Sequence, residues 1–197
     1  MARPKKISLL QGHRKAIGFG KEALPQPDSN AGRPAIPDQP IEVLLKDIPA
    51  HIVKKAWFTL SHILPESGAT IVDSGCNTGE MTYVMAALKP DANFIGLDVS
   101  ATCIKQAQKK YKLNNLTYNV GNIYTDLQEN SVDAIVNSFF LHEIYSESYF
   151  NERLIELALQ KQYKALKENG ILVIRDYINP SNAIRTNRIH RDRTGRR

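Results

Sequence analysis

Thr70-Ile71-Val72-Asp73-Ser74-Gly75-Cys76-Asn77-Thr78-Gly79-Glu80 is the stretch on which the fold turns. Its opening residues are β-branched and apolar, as a strand buried on both faces requires. Two glycines then interrupt the backbone, and Glu80 to Leu88 reads as a helix. A short buried strand that ends in an acid, turns through glycine and feeds a helix is the opening of a parallel α/β sheet. At the carboxyl edge of such a sheet, glycine lets the backbone approach a ligand and the helix start offers free N–H groups. Asp73, Gly75, Cys76, Asn77 and Gly79 are therefore candidate binding residues. A carboxylate two residues before the first glycine repels a pyrophosphate and attracts a cation, which narrows the ligand class.

The pattern continues downstream. Asn93–Asp98 is a second strand, and Ser100 is placed to cap a helix from Ala101 to Tyr111 whose basic end suits the helix dipole. Leu116–Val120 and Val132–Ser138 read as the third and fourth strands. A long helix from about Tyr149 to Lys167 is expected to stop at Asn169-Gly170, before a fifth strand from Ile171 to Tyr177. Upstream, apolar residues three or four apart from Ile41 to Leu64 predict a helix broken or restarted at Pro49, with Trp57 in the core. The order β-α-β-α-β-β-α-β predicts a doubly wound, mostly parallel α/β sheet of Rossmann-like type.

Asp73, Gly75 and Gly79 resemble the first motif of the class I (seven-stranded) S-adenosylmethionine-dependent methyltransferases, Asp/Glu-x-Gly-x-Gly-x-Gly. Asn77 stands where the middle glycine usually is, and asparagine tolerates positive φ better than other side chains. The resemblance covers roughly residues 41–179 and implies S-adenosylmethionine as cofactor and methyl transfer as activity. It places Asp98, with Val99 beside it, on the ribose hydroxyls; read on its own, Asp98 could instead be an acid at a helix start. It places Asn122 and Ile123 on the adenine, and Asn137 and Ser138 beside the methionine end. His142 is the candidate general base, with Glu143 and Tyr145 behind it; the alternative is a histidine that packs at a helix start. A sulfonium-activated methyl group needs little beyond in-line positioning, so a missing catalytic dyad would not count against transfer. Two other readings stay open. A nicotinamide-dependent oxidoreductase shares the architecture, although Gly-x-Gly-x-x-Gly is absent, and a non-catalytic binding protein would account for Asn77 and Asn122.

The chain has 197 residues, 42% of them hydrophobic, which suits one domain with an ordinary core. Its net charge of +6 sits at the ends. Residues 1–21 carry six bases and no acid, and residues 185–197 carry six arginines against Asp192, leaving 14 bases against 19 acids between. Three segments follow: a basic, Pro-rich arm over 1–40, a cofactor-binding domain over 41–179 and a basic tail over 180–197. Solvated termini are the favoured reading of these tails over nucleic-acid contact. Cys76 and Cys103 lack the spacing of a metal site and are expected to be reduced thiols in a cytoplasmic protein. No apolar run reaches membrane-spanning length, and the partner implied is an unidentified methyl acceptor, a small molecule slightly favoured. Twenty residues after Tyr177, rich in arginine, are too few and too polar for the antiparallel hairpin that completes the family's sheet. The fifth strand is thus expected to be an edge. Either the chain is a piece of a longer enzyme, or its edge is covered by a second copy or by its own arm.

Overall fold

The computed structural model describes residues 39–177. The order is α1 (Ile41–Leu44), α2 (Ala50–Ile63), β1 (Thr70–Ser74), α3 (Glu80–Leu88), β2 (Asn93–Asp98), α4 (Ala101–Lys110), β3 (Leu116–Val120), β4 (Val132–Ser138), α5 (Leu141–Glu147), α6 (Glu152–Ala165) and β5 (Leu166–Arg175). The strands form one sheet in the order β3-β2-β1-β4-β5, every pairing parallel. It is an α/β, Rossmann-like fold. The order reverses between β1 and β4, so the chain leaves these neighbours in opposite directions and opens a crevice at their carboxyl ends.

Alternation along the strands fills both faces. Ile71, Phe94 and Val136 pack towards α2, α3 and α4, while Val72, Ile95 and Ile135 pack towards Ala158 and Ala165 of α6. All five residues of β1 are buried, which explains its unbroken apolar reading up to Asp73. Ser100 caps α4 as its sequence suggests, its Oγ accepting the Cys103 N–H at 3.3 Å.

Three expectations need correction. Trp57 is not in the core but 63% exposed, because α2 buries the stripe of Ala56, Thr59 and Ile63 and the next residue along points about 100° away. Asn169-Gly170 does not stop a helix: α6 already ends at Ala165 and β5 begins at Leu166. The pair sits in an irregularity of β5, where Leu166 pairs with Val132 and pairing resumes at Ile171 with Ala134. Asn169 takes φ +63° there, the left-handed conformation asparagine tolerates. The third is the expected order of elements, which runs from β4 to one long helix and omits α5 directly after β4; with only Leu141 buried, α5 has little apolar periodicity to reveal it.

Among the described residues β5 is a sheet edge, with Ile171 and Ile174 exposed. The expected missing hairpin, the tail and all but the end of the arm lie outside the described residues. No helix among the described residues is long and apolar enough to cross a membrane.

Candidate functional site

The turn after β1 is built by three residues at positive φ: Gly75 (+69°), Asn77 (+50°) and Gly79 (+83°). Asn77 takes up the left-handed conformation that the absent middle glycine would have held. At Gly75 conformation and space act together, since a Cβ there would overlap the Phe140 ring. Gly75→Ala is therefore expected to destabilise the protein by about 1–3 kcal/mol, combining left-handed strain with overpacking. The midpoint of urea unfolding measures this, and an unchanged midpoint would show that the close approach is not enforced.

Asp98 ties the turn to β2. One carboxylate oxygen accepts the Asn77 N–H at 2.8 Å and the other accepts the Ser100 N–H at 2.8 Å. Ser100 performs the capping itself, so Asp98 is free to clamp the loop. Each Asp98 oxygen keeps a lone pair for a further donor.

Asp73, at the end of β1, is only 3% exposed yet contributes to the wall of a cleft. The Thr82 hydroxyl of α3 donates to its Oδ2 at 2.6 Å. Burial pushes the Asp73 carboxyl up to about 7, against the lowering effect of the Thr82 bond and with a smaller upward push from Asp98. Burial, with Asp73 and Asp98 adding to it, likewise drives the Cys76 thiol far up, so it is no nucleophile. Cys76 and Cys103 are both free thiols.

The cleft encloses about 450 Å³, within the range of small-molecule sites. It is lined by Asp73, Gly75, Cys76, Asn77 and Asp98 from the ends of β1 and β2 and the turn after β1, by Ser138, Phe139, His142 and Glu143 from the end of β4 and the start of α5, and by Ile52 and Lys55 of α2 and Tyr177. Among the described residues four carboxyl groups, from Asp73, Glu80, Asp98 and Glu143, share the lining with one ammonium, that of Lys55.

Of the residues singled out in the sequence, Gly79, Val99, Asn122, Ile123 and Asn137 do not line this cleft. Gly79 caps α3, and its carbonyl accepts the Tyr118 hydroxyl at 2.8 Å. Val99 is exposed. The Asn122 side chain accepts the Tyr124 N–H at 2.9 Å and fixes its own turn. Ile123 is buried with Val72, Ile95 and Leu97. Asn137 is wholly buried and exchanges two hydrogen bonds with Gln162 of α6, at 2.7 and 3.0 Å. Tyr145 is also absent from the lining.

Two partners were not legible one residue at a time. Thr82 is the first. The second is Asp176, just past β5, whose Oδ1 lies 2.7 Å from His142 Nδ1 while its Oδ2 accepts the N–H groups of Leu141 and His142 at 2.7 and 3.2 Å. Burial opposes ionisation of Asp176, but the Tyr177 N–H and the His142 ring and N–H together hold its carboxyl below the usual range. An ionised carboxylate only accepts, so in the neutral ring the proton sits on Nδ1 and the lone pair on Nε2. Asp73, Asp98 and Asp176 all stand at carboxyl ends of parallel strands, a pattern visible in the sequence once the strands are placed.

Residues 65–194 match the family model for a methyltransferase domain. The chain belongs to this methyltransferase family. It is 30% identical over 119 residues to a carboxy-S-adenosyl-L-methionine synthase of Campylobacter jejuni, covering 60% of this chain and 48% of that one. To O-methyltransferase 3 of Dictyostelium discoideum it is 27% identical over 116 residues, 55% of this chain and 25% of that one. The chain thus spans between a quarter and a half of these curated relatives. Among solved structures, the S-adenosylmethionine-bound amino pentose methyltransferase CalS10 of Micromonospora echinaspora superposes with a TM-score of 0.56 at 20% identity, over 66% of this chain and 52% of that one. The YcgJ protein of Bacillus subtilis gives 0.53 at 17% identity, over 69% and 54%. At such identities the likeness is one of fold.

Proposed function

We propose that this methyltransferase-family chain binds S-adenosylmethionine in the cleft beyond β1 and β4 and transfers its methyl group to a small molecule. The observation that carries the reading is the charge of the cleft. Among the described residues four carboxyl groups, of which Asp73 ionises only as pH rises through about 7, face one ammonium there, an environment that suits a ligand bearing sulfonium and ammonium groups and opposes a dianionic pyrophosphate. The relatives support it, since CalS10 holds S-adenosylmethionine on the same fold.

Asp98 would accept the ribose hydroxyls through its remaining lone pairs. Asp73 would stabilise the cationic end, and the close-packed Gly75 turn leaves the backbone bare against the ligand. Lys55 would meet the methionine carboxylate. The cofactor supplies a methyl group already activated by positive sulfur. What remains for the protein is to orient the acceptor and, where the acceptor atom is a hydroxyl oxygen, to take its proton. His142 Nε2 faces that task with Asp176 fixing the ring.

Calorimetric titration with S-adenosylhomocysteine and with NADH separates this reading from the oxidoreductase. Saturable binding of the first alone is expected, and binding of NADH alone would overturn it. Transfer of label from methyl-labelled S-adenosylmethionine to a component of a cell extract then tests catalysis.

A further inference from the structure

A second hollow, of about 430 Å³, adjoins the cleft and is lined by His51, Lys54 and Lys55 of α2, Phe58, and Arg175 at the end of β5. Its chemistry is the reverse of the cleft's. Among the described residues no acid lines it, and none of their ion pairs involves Lys54, Lys55 or Arg175. Lys55 and Arg175 instead flank the Phe139 ring, with Lys55 Nζ 4.5 Å and the Arg175 guanidinium carbon 5.4 Å from its centroid. Phe139 holds φ +57°, a conformation that costs a bulky residue on the order of 1–3 kcal/mol. The backbone is thus held in an unfavourable state that keeps this ring in the lining of the cleft against Lys55, which borders both hollows, and Arg175, which borders the second.

Cations gathered without counter-charge repel one another, and an anion seated among them removes the repulsion while gaining charge-assisted hydrogen bonds. The guanidinium fork matches a carboxylate or phosphate in two contacts. Phe58, 58% exposed, adds an aromatic face to the lining. A volume of this size takes a small molecule, and the Lys55 that both hollows share would put that molecule next to a cofactor bound in the cleft.

We infer that this hollow seats a negatively charged group, a carboxylate or phosphate on an apolar body, of the methyl acceptor, so that the substrate is a small anionic molecule. The assignment to an acceptor rests on the methyl-transfer reading. Lys54 and Arg175 define the seat, since they line the hollow and not the cofactor cleft.

The test titrates the full chain with benzoate, phenyl phosphate and the neutral benzamide, with and without saturating S-adenosylhomocysteine. At least one anion should bind tenfold or more tighter than benzamide, and which one does so distinguishes carboxylate from phosphate. Lys54→Gln combined with Arg175→Gln should weaken that binding tenfold or more, with S-adenosylhomocysteine affinity within twofold and an unchanged melting curve. Benzamide binding as tightly as both anions, no saturable binding of either anion, or full anion affinity in the double variant would each overturn the inference. A protein that binds an anion at this seat but no S-adenosylhomocysteine would keep the seat and sink the methyl-transfer reading instead.

Discussion

Asp73→Asn is expected to make the ligand-free protein more stable at pH 8 and, at the same pH, a far weaker binder of S-adenosylmethionine. Asp73 has its folded-state carboxyl at about 7 against an ordinary 3.8, chiefly because it is buried. Between those values the folded protein holds a proton that the unfolded chain has released. Stability contributed by this group is therefore present at low pH and is lost as pH rises through about 7. Asparagine keeps the shape and can still accept the Thr82 hydroxyl, but carries no charge to desolvate. The gain at pH 8 should be on the order of 2 kcal/mol, discounted from the full shift for relaxation around the charge. The variant should also show a smaller fall in stability from pH 5.5 to pH 8 than the wild type.

Binding runs the other way. The ionised carboxylate is what a sulfonium or ammonium group gains from this position, so wild-type affinity should rise with pH through about 7. Removing the charge should cost about 1.5–3 kcal/mol, roughly 10- to 150-fold in dissociation constant. Urea unfolding at the two pH values and calorimetry at pH 8 check both halves. A variant that is less stable at pH 8 yet binds with wild-type affinity would remove Asp73 from the site.

How far the sequence reaches is clear from which features are local. The turn after β1 was legible because its requirements, an acid, positive-φ residues and a helix start, are all met within eight consecutive residues. Asp98 was legible as a strand-end acid, but not as the clamp that binds Asn77 N–H, since that bond closes only when β2 pairs with β1. The side chain of Asn137 is taken up by Gln162, which α6 brings from 25 residues away and which no local pattern announces. Trp57 shows an error of another kind: a large apolar side chain near a helical stripe reads as core, although the stripe runs one position earlier. The irregularity in β5 was hidden for a similar reason. Asn-Gly ends helices and makes strand bulges with the same left-handed backbone, and only the pairing with β4 tells them apart.

The largest expected loss of activity lies at His142. Its partner Asp176 is 34 residues away in sequence, and the two meet because α5 begins where β4 ends while Asp176 follows the neighbouring strand β5. The carboxylate orients the ring through Nδ1 and anchors the first two N–H groups of α5 through its other oxygen. Nε2 has no hydrogen-bond partner among the described residues, and the ring lies edge-on to Tyr177, 5.0 Å away, in the wall of the cleft. For an acceptor that must lose a hydroxyl proton, His142→Ala should lower kcat by roughly 10²–10⁴-fold with little change in cofactor affinity. Added imidazole should restore part of the rate, which it would not do for a residue that only packs. Asp176→Asn should also lower kcat, for a different reason. The carboxamide oxygen keeps the backbone N–H groups, so its NH₂ faces Nδ1 and drives the ring proton to Nε2, where the lone pair was needed. Imidazole should not rescue that variant. The assay uses the acceptor that label transfer in extract reveals, and a His142→Ala enzyme that methylates it at the wild-type rate would leave the dyad a structural tie between α5 and β5.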